Sequence, residues 1–367
     1  MNKDKITNRQ TTIFLVFLLN SFISLFGYHS ITILSKNDAI ISIIIGTIFT
    51  LLLSHLFFTI FKFNKQKNIL EKIELLFPKI KNIFFIFIFI SVFLLLIFSI
   101  KNISTFINYY SLKENPVFIV TLTLLITIFY ISTKKLDTIF KVAEICFYIY
   151  VFIMIMIWIG SLKYINLENL NPLFTTSIFK IIKSSLIYSS SSIIPFFMFL
   201  MIPFKKIENK KNTKQAITKA IIYSSIIIFL NLLLIISVLG IELTNIYTNP
   251  DMIIYKKISF LNILERIETT ISFNNILNSF FYILLLIYLL KELFKIIFPK
   301  KKKKETVFLF LTILVLLFSG IFINIPIIVY FFINVFYLVL TAIIYIRVIY
   351  EQLYPSSSND SLNSSIL

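Results

Sequence analysis

The chain is poor in the residues that build most known active sites. Its 367 residues include one cysteine, two histidines, one tryptophan and five glycines. A lone Cys146 excludes an intrachain disulfide and a thiolate metal cluster. His29 and His55 are too few for a His-rich metal centre or for His-dependent catalysis, so no metal, cofactor or catalytic residue is implied. Charge is scarce as well, at 14% of residues, and one-sided, with 35 Lys and Arg against 17 Asp and Glu. What the chain has instead is apolar side chains. Hydrophobic residues make up 58%, with 42 Phe, against about 45–50% apolar in an ordinary soluble domain. Too little polar surface remains to cover a globule in water. The composition describes an all-α integral membrane protein.

A membrane-crossing helix needs about 20 mostly apolar residues. Reading between charges gives ten candidate spans: 11–35, 39–61, 83–112, 117–133, 142–161, 184–203, 220–241, 267–290, 306–325 and 327–346. Runs such as Ile83–Ile100 do not alternate polar with apolar, which excludes barrel strands. The expectation is ten transmembrane helices forming one domain over 11–346, with a cytoplasmic tail at 1–10 and a cytoplasmic, disordered tail at 347–367. The first span is longer than a signal-peptide core and has no small-residue cleavage site.

Orientation follows from the bases. With a cytoplasmic N-terminus, the inside segments carry 26 of the 35 Lys and Arg. The positive-inside rule then puts both termini in the cytoplasm. Basic residues in short loops beside apolar spans point to anionic lipid as a partner, not to nucleic acid. Two loops keep helical periodicity. In 66–82, Ile69, Ile73, Leu76 and Ile80 share one face opposite lysines and glutamates. Segment 251–268 repeats the pattern on the outer side. Both read as surface-lying connectors or as gates over a central site.

Polar groups inside spans are costly unless paired or wet, so their positions carry information. Span 6 contains Ser189-Ser190-Ser191-Ser192 ahead of Pro195, and Pro203 stands at its end. Proline removes a backbone donor and displaces the carbonyl four residues back, that of Ser191. A discontinuous helix of this kind builds transporter sites, and small serines equally allow close helix packing. Span 1 carries Asn20, Ser21, Phe22 and Ser24, then Gly27, Tyr28 and His29. Span 8 carries Asn274, Asn275, Asn278 and Tyr282 in descending order. A small ligand is expected among Ser21, Ser24, Ser190, Ser191, Ser192 and Asn278, with Phe22 and Tyr282 shaping its apolar side. Lys101 in span 3 and Glu268 in span 8 are intramembrane charges, expected to face the bundle interior or a wet cavity.

Short motifs, in order along the chain, resemble a known family. Ile6-Thr7-Asn8-Arg9-Gln10 is similar to the I-[ST]-x-x-Q opening of spore germination B-subunits, the GerAB-like permeases. Asn115-Pro116, Asn169-Leu170-Asn171-Pro172, Pro203 with the following lysines, and Leu264-Glu265-Arg266-Ile267-Glu268 continue the resemblance. It implies the amino acid–polyamine–cation transporter fold. That fold has two inverted five-helix repeats, here about 11–161 and 184–346, with helices 1 and 6 broken around a midplane site. It further implies a nutrient germinant receptor in the spore inner membrane, with a larger A-type subunit and a lipoprotein C-type subunit as partners. The germinant is expected to be an amino acid. The pocket departs from the family pattern: Ser21 and Ile23 fall on its Gly-x-Gly, Pro195 and Phe197 on its Gly-x-Glu, and Asn275 on its Trp. Lys101 falls where the family often has Arg, and Glu268 matches directly. The alternative within the same fold is an active permease moving amino acids with a cation.

Overall fold

Long unalternating apolar runs leave each backbone N–H only its own helix as partner in lipid. Helix accordingly dominates. The computed structural model describes residues 5–110, 115–247, 249–257, 268–298, 305–323 and 326–354. In order the helices are α1 (Asn8–Phe26), α2 (His29–Ser35), α3 (Ala39–Lys62), α4 (Ile69–Leu76), α5 (Lys81–Tyr110), α6 (Val117–Ser132) and α7 (Leu136–Ser161). They continue as α8 (Ile178–Ser190), α9 (Ile193–Phe199), α10 (Thr213–Ile246), α11 (Pro250–Lys257), α12 (Glu268–Ile297), α13 (Glu305–Phe322) and α14 (Ile327–Leu353). Six stretches among the described residues are long and apolar enough to cross a membrane.

Three helices are interrupted, each for a local reason. Span 1 begins with a capping box: the Gln10 N–H donates to Thr7 Oγ1 at 3.2 Å, and the Thr7 N–H donates to Gln10 Oε1 at 3.1 Å. The helix does not loosen at Asn20–Ser24: α1 runs unbroken to Phe26, and Ser21 donates back to the Leu18 carbonyl within it. It breaks at Gly27, whose φ of 68° suits glycine, and α2 resumes at His29. Span 6 divides between Ser190 and Ile193. Pro195 then sits in the first turn of α9, where its missing N–H leaves no gap. Within α10, Gly240 has a φ of 74°. The nearby Ser237 carbonyl accepts from the Asn166 N–H at 3.0 Å and from Asn169 Nδ2 at 2.9 Å.

The connector at 66–82 forms α4 behind an Asn68–Glu71 capping box. Ile69, Ile73 and Leu76 are buried as their spacing predicts. Ile80 lies past the helix end and is exposed, and Lys72 is 1% exposed rather than in water. Lys72 Nζ donates to the carbonyls of Ile60 at 2.9 Å and Phe61 at 3.0 Å. The orphan carbonyls at the end of α3 attract the ammonium inward. At the other end of the chain, α14 runs to Leu353, so helix extends beyond the span that ends at 346. Residues 355–367 of the tail, 258–267 of the outer connector and the Leu264-Glu265-Arg266-Ile267 part of the family motif lie outside the described residues.

At the centre, α1 is flanked by α10 and α12, with α7 alongside. α3 packs on α8 and α10, and α5 packs on α12. Phe14, Phe17, Phe140 and Phe281 interlock around α1, while Phe61, Phe199 and Phe204 seal its neighbourhood near α9. Gly46 lets α3 approach α8: a Cβ there would stand 2.6 Å from Tyr188 Cδ1 and 2.9 Å from the Ser185 carbonyl oxygen. The outer helices present large apolar side chains such as Ile126, Phe310 and Phe332, as a lipid-facing surface must.

Candidate functional site

The interruption of span 1 lies against a buried polar network drawn from five helices. Asn20 on α1 donates through Nδ2 to the Tyr150 hydroxyl of α7 at 3.1 Å. Its Oδ1 accepts from Ser224 Oγ of α10 at 2.7 Å. One turn on, Ser24 accepts from Asn278 Nδ2 of α12 at 2.9 Å and donates to Asn275 Oδ1 at 3.3 Å. Asn275 Nδ2 in turn donates to Asp251 Oδ2 of α11 at 2.8 Å. Asp251 is 9% exposed, and burial pushes its carboxyl above the usual carboxylate range. Trp158 on α7 donates to Asn231 Oδ1 of α10 at 2.9 Å beside the same cluster. Such a network is worth its desolvation only if its members are satisfied. Two carbonyl oxygens, Asn274 Oδ1 and Asn278 Oδ1, accept nothing, and neither does the buried Tyr282 hydroxyl have a partner. These three residues stand on successive turns of α12.

The interruption of span 6 is built differently. Ser190 donates to the Ile187 carbonyl at 2.8 Å, Ser191 to Tyr188 at 2.6 Å and Ser192 to Ser189 at 2.6 Å. The hydroxyls thus close their own helix end. Beside them Leu19, Thr50, Tyr188, Ser191, Ser192, Ile221, Ser224 and Ser225 line a cavity with room for about one water molecule. Tyr188 and Ser225 hydroxyls share a hydrogen bond of 2.9 Å at its wall.

The residues named from the sequence are therefore not gathered in one place. Ser24 and Asn278 touch. Ser191 and Ser192 share the small cavity, with Ser190 half-buried at its margin, and Ser224 links that cavity to Asn20. Ser21 is buried and closes onto Leu18. Phe22 and Tyr282 lie deeper, with the Phe22 ring 5.8 Å from Tyr330. Lys101 is half-buried, and its Nζ donates to the Ile323 carbonyl at 3.3 Å, beyond the end of α13. Glu268 opens α12, and its side chain lies outside the described residues. Sequence reading of site residues passed over Asp251, Tyr150 and Ser224. Asn20 and Asn275 were visible as polar groups in spans, but their partners come from other helices.

The end of the bundle that holds the N-terminus is latched. Ile6 pairs with Ile207 through backbone hydrogen bonds to Lys206 and Glu208, each 2.9 Å. Glu144 of α7 accepts from Arg9 Nε at 3.2 Å and from Gln10 Nε2 at 2.9 Å. The Ile69 N–H donates to the Leu200 carbonyl at 3.0 Å, and the Lys205 N–H to Lys65 at 2.7 Å. The motif at 6–10 thus has a physical content: a buried isoleucine, a helix cap and two anchors on α7.

A family profile described as "Spore germination protein" matches residues 5–328. No curated protein sequence matches significantly. Among solved structures, a manganese transporter from Eremococcus coleocola is similar in outline. A mutant form of it has 12% identity over 97% of this chain and 72% of that chain, with a TM-score of 0.42. The form in complex with an aromatic bis-isothiourea substituted compound has the same identity and coverage and a TM-score of 0.41. Scores at that level carry no conclusion about fold detail or cargo.

Proposed function

The chain belongs to the spore germination protein family, and from that premise we propose that it is the membrane subunit of a nutrient germinant receptor. It binds a small nutrient, an amino acid, in a transporter-like midplane site beside the interruption of the first span. The observation that carries this reading is the buried polar network around Ser24, Asn278, Asn20 and Ser224, with acceptors left over on α12. Stable proteins seldom keep such atoms unpaired, and a bound ligand is one way to pair them.

Ten transmembrane helices in two inverted five-helix repeats fit the packing. α1 lies on α10 as α8 lies on α3, which is the reciprocal contact that exchanging two repeats requires. Each half also follows its second long helix with a short connector helix, α4 and α11. Both termini are cytoplasmic and the membrane is the inner membrane of the spore. A larger A-type subunit, a lipoprotein C-type subunit and anionic lipid are the partners. Cysteines introduced in 205–214 and in 245–257 should label from opposite sides, and same-side labelling would end this topology.

Deletion in the native spore-former tests the function, with nutrient response and amino-acid uptake scored separately. Loss of response with uptake unchanged supports the receptor. Loss of both favours the permease reading. Unchanged response to every nutrient refutes the receptor role.

A further inference from the structure

The nutrient site has an asymmetry that bears on ligand charge. α11 folds back so that Asp251 faces α12 and the break in span 1. Its carboxylate accepts from Asn275 Nδ2 at 2.8 Å, and the Tyr255 hydroxyl lies close by. Both groups are neutral. Among the described residues, Tyr28 and Tyr255 lie within electrostatic reach of Asp251, Tyr150 within reach of both, and Tyr188 within reach of Tyr28. Among the described residues, no lysine or arginine pairs with Asp251. A buried carboxylate without a cation is expensive and either takes up a proton or attracts a positive group. The neighbouring amides add to the same imbalance. Asn275 Oδ1 is held by Ser24, but Asn278 Oδ1 and Asn274 Oδ1, both at least nine-tenths buried, have no donor. Among the described residues the compartment therefore has acceptors in excess and a negative charge, and few N–H donors.

We propose that the Asp251, Ser24 and Asn278 compartment takes a compact primary ammonium, with Asp251 as its counter-charge. A primary ammonium supplies three donors and one positive charge, which is what the surrounding groups lack. The inference builds on the receptor reading, because it assigns the ammonium end of the nutrient to the α11 side of the break. It also gives α11 a role: the connector carries the counter-charge, so engaging the ammonium ties α11 to α12 and α1.

The purified full-length protein offers its own reporter. Trp158 is the sole tryptophan and bonds Asn231, which lies beside Tyr28. Three probes, n-propylammonium, tetramethylammonium and n-propanol, are titrated at matched ionic strength while Trp158 fluorescence and the Tm are read. The expected result is a saturable response to n-propylammonium alone. Asp251→Asn should weaken that response by about tenfold or more, and Asp251→Glu should keep it. Equal responses to n-propylammonium and tetramethylammonium, or to n-propylammonium in wild type and Asp251→Asn, would overturn the proposal. The comparison of probes on the wild type decides the matter even if Asp251→Asn does not assemble. Failure of the deletion test would remove the receptor reading and leave ammonium binding standing. Failure of the probe test in a protein that still supports germination would remove the ammonium site alone.

Discussion

Two helix interruptions, related in position, use their polar groups in opposite ways. At Ser190–Ser192 three hydroxyls turn back on carbonyls three residues earlier, so the broken end of α8 is satisfied from within. At Gly27 the chain turns without help from its own side chains. The polar groups nearby, Asn20 and Ser24, are bound to α7, α10 and α12 instead. The first arrangement stabilises a break. The second couples a break to four other helices and leaves acceptors uncommitted. A ligand changes little by approaching the first and can complete the second, so the proposed receptor would recognise its ligand at Gly27 rather than at Ser191.

Substitutions can separate these roles. The largest effect is expected at the α3–α8 contact. Gly46→Val drives side-chain atoms into Tyr188 and the Ser185 carbonyl, and should destabilise by about 3 kcal/mol in a thermal or denaturant assay. Asn20→Leu strands the hydroxyls of Tyr150 and Ser224 in the interior, a loss of about 2–3 kcal/mol. Gly27→Ala forces a side chain into the left-handed region and should cost about 1–2 kcal/mol. Ser191→Ala removes a bond that the helix end can replace by relaxing, so less than about 1 kcal/mol should be lost. If Ser191→Ala proved as damaging as Asn20→Leu, the contrast between the breaks would fail.

A titration outside both breaks gives an independent check. Burial lowers Lys72 from its ordinary value to about 7. Between that value and its ordinary pKa, the unfolded chain keeps the Lys72 proton and the folded protein has released it. The unfolded state then binds more protons, so this group makes stability rise with pH above about 7 and contributes a constant term below. Lys72→Met should flatten that rise in a stability–pH profile, and an unchanged profile would contradict the burial of its ammonium.

Much of the architecture was legible from long apolar runs, because lipid forbids alternatives to helix and each run must close its own hydrogen bonds. The break in span 6 was legible as one of two readings, since four serines before a proline fit a discontinuous helix and close helix packing equally. The sequence left the place of the break in span 1 open between Asn20 and His29. Serines attract attention as polar groups, yet Ser21 bonds back to its i−3 carbonyl, and the chain turns at Gly27. Lys72 went to the wrong face because periodicity counts side chains and does not see the carbonyl end of α3. Asp251 was hidden for a related reason. Its partner Asn275 lies 24 residues on, and only the return of α11 onto α12 joins them. The available signal was small: Pro250-Asp251 opening an amphipathic connector, with Tyr255 one turn later.

The central claim is that nutrient recognition resides at the Gly27 break and not at Ser191. The direct measurement is the half-maximal nutrient concentration for germination in spores carrying Asn278→Leu or Ser191→Ala, with membrane levels of the protein matched. Losing one buried ligand contact of about 1.4 kcal/mol raises that concentration about tenfold. Asn278→Leu is predicted to shift it by at least that factor, and Ser191→Ala by less than about threefold. Equal shifts, or a larger one for Ser191→Ala, would contradict the account.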